Sequence, residues 1–203
     1  MHFRPDEPMH DRYQVDHDFL SPKTGREATI IAKTVNAMFR WEFNSCEMLV
    51  QGDTVYPIDY ANACPDVAVT SLHYYFPWAI KTLLKWTLFC AVTGRRAKLH
   101  ADFADWFAIA DDPELDYPAK LDRYEALTDK HFDTDRYTEF CAAVLPDIDE
   151  MVYEWVTSAA FDTMLADTIA TTYPETERDR FTAHFRGLMD LWIADQSSVR
   201  RSG

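Results

Sequence analysis

Oxygen-bearing side chains are concentrated in one stretch of the sequence, "WEFNSCEMLVQGDTVYPIDYANACPD", which runs from Trp41 to Asp66. Within it, Glu47 is followed by Asp59 twelve positions later and by Asn62 after three more. Carboxylate and amide oxygens are hard ligands of the kind Mg²⁺ takes, usually one or two carboxylates completed by substrate phosphates and water. The three residues are therefore a candidate metal set, and the alternative is that they are surface residues of an ordinary hairpin.

The elements that must position these residues follow from the hydrophobic pattern. "WEFNSCEMLV" predicts a strand, "QGD" a turn containing Gly52, and "TVYPID" a return strand, which together form a hairpin. Pro57 within the second strand indicates an edge or a bulge. Before the hairpin, residues 26–39 place apolar side chains at helical spacing, and Thr24 with Glu27 has the spacing of a capping box.

A long helix is predicted after the hairpin, across residues 71–94, with Gly94 as its C-cap. Its buried face is expected to carry the apolar residues Phe76, Ile80, Leu83, Leu84, Leu88 and Ala91. The polar residue His73 and two lysines within the same stretch argue against a membrane span.

The remainder of the chain, from residue 101, is helical in pattern throughout, with breaks at "DDPELDYP", Pro146 and "TYPE". We therefore expect an α+β protein. Residues 1–95 would hold an antiparallel sheet with a covering helix, and residues 96–203 a mostly α-helical, acidic extension.

Charge and cysteine content restrict the class of protein. The 203 residues carry 34 acidic and 20 basic side chains, and the whole net charge of −14 lies in residues 101–203. Such a surface repels phosphate backbones, so nucleic-acid binding is not expected. The four cysteines form no CxxC pair, which argues against structural zinc. Because the first twenty residues lack a signal-peptide pattern, we expect a cytoplasmic protein with reduced thiols. A homo-oligomeric state stays open.

The order of helix, acidic strand, Gly-Asp turn and a second strand ending in acid and Asn resembles the carboxyl-terminal half of ATP-grasp ligases. In that superfamily an acidic residue on one strand and a Glu-x-Asn on the next bind the magnesium ions that bridge ATP phosphates. By position, Glu47 matches the first acid, Asp59 the Glu and Asn62 the Asn, and "NACPD" resembles the loop near the acceptor substrate. The resemblance covers about residues 1–75.

Two features of the sequence depart from the family pattern. The spacing here is Asp-x-x-Asn, whereas a literal Glu-x-Asn occurs at Glu42 and Asn44, so a second metal set stays open. The family's earlier subdomain, with its adenine-contacting lysines and glycine-rich loop, has no counterpart before Met1, so we expect the chain to be the carboxyl-terminal portion of such a ligase.

The resemblance implies a ligase that uses ATP and Mg²⁺ to activate a small-molecule or peptide carboxylate as an acyl phosphate for attack by an amine or similar nucleophile. Under it, Arg4 and Arg12 are candidate phosphate or substrate ligands, because a guanidinium binds such groups bidentately. The main alternative is a non-catalytic acidic helical interaction module. A third is a metal-dependent hydrolase that uses His2, His10 and His17 with neighbouring carboxylates.

Overall fold

The computed structural model describes residues 2–8, 11–62, 64–97 and 103–202, and over these ranges the chain is α+β. The strands form two separate antiparallel pairs, β1 (His2–Phe3) with β2 (Tyr13–Gln14) and β3 (Ser45–Gln51) with β4 (Thr54–Asn62). The helices are α1 (Pro22–Phe39), α2 (Val69–Leu72), α3 (Phe76–Thr93), α4 (Ala104–Asp111), α5 (Tyr117–Phe132), α6 (Thr134–Val144), α7 (Ile148–Val156), α8 (Ala159–Thr172) and α9 (Arg178–Ser202). Short 3-10 turns occupy His73–Tyr75 and Glu175–Glu177. The predicted helical character after residue 101 is confirmed in the described part of the chain.

The chain divides into two compact units. Unit 1 comprises residues 1–16, 66–88 and 141–203, and unit 2 comprises residues 17–65 and 89–140. Each unit is assembled from separated segments, so this division differs from a boundary between residues 95 and 96. The candidate metal hairpin belongs entirely to unit 2.

Helix α1 begins four residues earlier than the sequence pattern indicates. Ser21 is the N-cap, with its hydroxyl accepting a hydrogen bond from the Thr24 backbone N–H at 3.1 Å, and Pro22 occupies the first turn. The predicted N-cap at Thr24 is therefore wrong, because proline at the first helical position favours the earlier start. Thr24 is instead buried inside the helix. The helix ends at Phe39, and its C-cap Arg40 adopts the left-handed conformation.

Unit 2 is built around α1, which packs against α5 and β4. Its buried positions Ile30 and Ala37 lie seven residues apart, as expected for one helix face. On the α5 side, the Arg26 guanidinium contacts Asp122 at 2.8 Å and Glu125 at 2.5 Å. This packing supports one face of a hairpin that would be only marginally stable alone.

The predicted continuous helix over residues 71–94 is interrupted. His73, the first residue of the 3-10 turn after α2, adopts φ +51°, and the uninterrupted helix starts only at Phe76. Gly94 follows α3 with φ +66°, which agrees with its predicted place at the helix end. Leu84 and Leu88 are exposed, so their expected burial is wrong. Ala91 is exposed as well, whereas Phe76 is buried as predicted, together with Pro77, Ala79 and Phe89.

Unit 1 has the larger apolar core. It is formed where α2 and the start of α3 meet α7, α8 and α9, and its fully buried side chains include Phe161, Phe185 and Met189. Phe161 lies against the Trp155 ring, with ring centroids 5.0 Å apart. No helix in the described ranges is both long and apolar enough to cross a bilayer.

Candidate functional site

The hairpin brings two of the predicted metal ligands together. Glu47 on β3 and Asp59 on β4 are register partners in the antiparallel pair. Side chains of directly opposed residues lie on the same face, with Cβ atoms about 5 Å apart. Both side chains are exposed on that face. The structure therefore places a pair of like charges side by side, which costs free energy unless a cation lies between them.

Irregularities in the strand pairing on either side of Asp59 make this pairing possible. The register moves from Met48 opposite Pro57 to Glu47 opposite Asp59, so Ile58 is an extra residue in β4. A second shift leads on to the pairing of Ser45 with Asn62. The bulge that Pro57 predicted is therefore present.

The consequence of the bulge is visible in the burial pattern. Along β4, Thr54 and Tyr56 are exposed and Val55 is buried, as a regular strand requires. Strict alternation would turn Asp59 inward, on the side of Val55. Because Ile58 is an additional residue, Ile58 and Asp59 are both exposed, and Asp59 returns to the face that carries Glu47. Bulges are found next to active sites, where they re-aim a side chain in this way.

Asn62 is the last residue of β4, and its backbone pairs with Ser45. Its side chain lies outside the part of the chain that the structure describes. Its predicted role as the third oxygen ligand therefore stays a prediction. Among the described residues, no group of three or more His, Cys, Asp and Glu side chains is placed to hold a metal ion. The carboxylate pair thus supplies two protein ligands, and a bound cation would need further oxygens from Asn62, substrate or water.

The alternative metal set is engaged in internal contacts. Glu42 and Asn44 precede β3, so the assumption that they belong to the strand is wrong. The Glu42 carboxylate lies 3.6 Å from the Arg95 guanidinium. The Asn44 amide donates hydrogen bonds to Asn36 on α1 at 2.9 Å and to the Tyr60 carbonyl at 2.8 Å. The Asn44 contacts tie the entry of the hairpin to α1 and β4. The second Glu42 oxygen and the Asn44 side-chain oxygen are buried without a hydrogen-bond partner among the described atoms, so this set stays a prediction.

The two candidate arginines make local contacts in unit 1. The Arg12 Nε donates to the Glu7 carbonyl at 2.8 Å, and the Arg4 backbone N–H donates to the Arg12 carbonyl at 2.8 Å. The Arg4 side chain lies 3.9 Å from the Asp6 carboxylate. These contacts hold the β1–β2 turn together. A role for either arginine in phosphate binding stays a prediction.

The histidines proposed for a hydrolase centre are divided between the two units. His2 lies 3.4 Å from Asp16 in unit 1, His17 belongs to unit 2, and His10 lies outside the described residues. Because His10 lies outside the described residues, the hydrolase alternative stays a prediction.

Apolar side chains surround the carboxylate pair on the same exposed face, which the sequence analysis did not anticipate. Leu49 and Tyr56, a cross-strand pair, are 59% and 47% exposed, and the bulge residue Ile58 is 55% exposed. The signal was present in "TVYPID", where apolar residues occupy both faces of the strand. Between Ser45 and Asn62 there are three acidic and no basic residues, so the hairpin itself supplies only negative charge beside these apolar side chains.

A surface pocket of about 340 Å³ lies in unit 2 at the junction of α5 and α6. Its lining includes Asp129, Asp133 and Asp135. Asp129 is already engaged by Lys33 and by the Thr134 hydroxyl. An acidic pocket of this kind repels phosphates, so we do not place a nucleotide there.

Comparison of the chain with known protein families, with curated proteins and with solved structures finds no match. Any functional conclusion must therefore come from the residues themselves.

Proposed function

We propose that the β3–β4 hairpin is the divalent-metal and phosphate site of an ATP-grasp-type, Mg²⁺-dependent ligase. The observation that carries the proposal is the pairing of Glu47 with Asp59 on one exposed face, which the bulge at Ile58 produces. The donor set fits the ion: Mg²⁺ is commonly held by one or two carboxylates and fills its remaining positions with phosphates and water. The order of α1, β3, the Gly52–Asp53 turn and β4 also agrees with the family order.

The protein itself would position the carboxylates that bind the metal. Glu47 and Asp59 on paired strands hold two carboxylates at a fixed separation, and α1 packed against β4 supports the opposite face. When bound, the metal would offset the negative charge of the nucleotide phosphates during transfer. The substrates would be ATP and a small-molecule or peptide carboxylate, as the family resemblance implies.

Calorimetric titration of ATP or ADP into the protein, with and without Mg²⁺, tests the proposal. We expect heat of binding only with Mg²⁺, and its loss in Asp59→Asn. The matched control is Asp53→Asn, which removes the same charge from the turn of the same hairpin but leaves the pair intact. Equal binding by both variants, or binding without metal, would contradict a phosphate site at this pair.

A second candidate is a non-catalytic interaction module, and a separate observation favours it. The exposed residues Leu49, Tyr56 and Ile58 belong to a hairpin whose residues 45–62 include three acidic and no basic residues, which suits a basic partner segment with apolar side chains. The probe is a synthetic peptide of alternating Lys and Val, with a Glu and Val peptide as control. The Lys peptide should bind without nucleotide or metal, and Tyr56→Lys should abolish this binding. That result would support the interaction module over the ligase.

A further inference from the structure

His73 has an unusual backbone conformation for its residue type. It is the first residue of the 3-10 turn that follows α2, with φ +51° and ψ −130°, a region that residues other than glycine rarely adopt. Such strain persists only where the surrounding structure enforces it, and it is concentrated at functional and switch positions. The junction between α2 and α3 therefore stores free energy that local rearrangement would release.

The His73 imidazole is buried within unit 1, with 5% of the residue exposed. Its ring centroid lies 5.3 Å from that of Tyr13 on β2 and 5.3 Å from that of Phe185 on α9. The His184 ring, also on α9, lies 6.4 Å away in an edge-to-face arrangement. The Nδ1 atom of His73 is buried without a hydrogen-bond partner among the described atoms. The site thus suits an uncharged ring.

The electrostatic surroundings disfavour protonation. Burial lowers the pKa of His73 to about 4, and repulsion from His184 adds to the effect, while a hydrogen bond with the Thr70 backbone opposes it. The titratable groups that face the ring are His184 from α9 and the Tyr13 phenol from β2. The adjacent Tyr74 donates a hydrogen bond to Asp195 at 2.6 Å. Tyr75, the next residue, has its pKa raised by burial and then by Asp16.

We propose that His73 is an acid-sensitive latch, which holds the α2–α3 junction closed while its imidazole is neutral and opens it on protonation. The sign follows from the direction of the shift. The folded state binds the proton less readily than the open state does, so closure is fully favoured above the ordinary histidine pKa of about 6.5. It is lost progressively as the pH falls from there to about 4.

Hydrogen exchange measured between pH 8 and pH 5 tests the latch, with rates corrected for intrinsic pH dependence. For a pKa shift from 6.5 to about 4, the opening constant of amides in residues 69–76 should rise about 30-fold over this range. In His73→Gln and in the ring-preserving His73→Phe, that rise should disappear. The control is His2→Gln, which removes a histidine of the same unit and should leave the rise intact.

An NMR titration of the unaltered protein provides the second measurement and needs no variant. The His73 ring resonance should remain that of a neutral imidazole at pH 5.5, and His184→Gln should shift its titration to higher pH. A His73 ring that titrates between pH 6 and 7 in the folded protein would overturn the proposal. So would the same 30-fold rise in His73→Gln or, if that variant does not fold, in His73→Phe.

Discussion

Replacing Glu47 by Gln should stabilise the protein when no divalent cation is present. Glu47 and Asp59 are register partners on an exposed face. Two unit charges about 5 Å apart in water repel by about 0.8 kcal/mol, and salt reduces this further. Allowing for side-chain mobility, we expect the free energy of unfolding to rise by about 0.3–0.8 kcal/mol at low ionic strength. At 1 M salt, where the screening length is about 3 Å, most of the gain should vanish.

Urea unfolding in a chelating buffer measures this difference, with Asp53→Asn as the matched control. Asp53 is exposed in the turn of the same hairpin and belongs to no register pair. Its replacement should therefore raise the free energy of unfolding by less than Glu47→Gln does. With Mg²⁺ added, the unaltered protein should become more stable than Glu47→Gln. The reason is that a ligand at ten times its dissociation constant stabilises the folded protein by about 1.4 kcal/mol. If Glu47→Gln lowered stability in chelator, or matched Asp53→Asn at every salt concentration, the inferred repulsion would be refuted.

Three further substitutions test a core contact, a backbone conformation and a hydrogen bond. Phe161→Ala removes a fully buried ring that contacts Trp155, and calorimetric or urea unfolding should show a loss of about 3–5 kcal/mol; a loss below 1 kcal/mol would contradict the assigned core. Gly94→Ala adds a methyl group at a position with φ +66°, where no described atom would clash with it. The free energy of unfolding should therefore fall by about 1–2 kcal/mol because of the backbone conformation alone, whereas alanine at a helical position causes no such loss. Tyr74→Phe deletes the hydrogen bond to Asp195 and should cost about 1–3 kcal/mol by the same measurement, whereas an unchanged stability would show that the bond is not formed.

Local signals in the sequence predict the hairpin well. Gly52 and Asp53 form the turn, and alternation on β3 separates exposed Glu47 and Leu49 from half-buried Met48. The bulge follows from Pro57, which cannot donate to the ladder at that point. The pairing of Glu47 with Asp59 was not predictable in detail, because a single extra residue in β4 reverses which face an acid occupies.

Other features depend on tertiary contacts that a periodic pattern cannot contain. The apolar spacing of Leu84 and Leu88 suggested burial, yet the packing of α3 covers Ala79 and Phe89 instead. The restart of the helix at Phe76 has a sequence signal in Pro77, because proline favours the first turn of a helix. The positive φ of His73 has no such signal, since His73 is not a glycine and the surrounding core residues enforce its conformation. The helix start at Ser21 was misplaced because Thr24 and Glu27 imitate a capping box, although Pro22 favours the earlier site.

The Glu42–Asn44 motif shows that a short pattern does not determine which contacts its residues make. Its spacing matches Glu-x-Asn literally, but Glu42 contacts Arg95 and Asn44 bridges α1 and β4. These contacts involve residues from distant parts of the sequence, which the motif itself cannot reveal. Arg95, for example, lies more than fifty positions after Glu42.

The central claim is that Glu47 and Asp59 together hold a divalent cation, and paramagnetic NMR tests it most directly. Mn²⁺ replaces Mg²⁺ in oxygen sites and broadens the amide resonances of nearby residues. In the presence of ATP, substoichiometric Mn²⁺ should broaden the Glu47 and Asp59 amides first, and Glu47→Gln should abolish the effect. Broadening spread over the acidic residues 101–203, with the hairpin resonances unchanged, would contradict the assignment of the metal site to this pair.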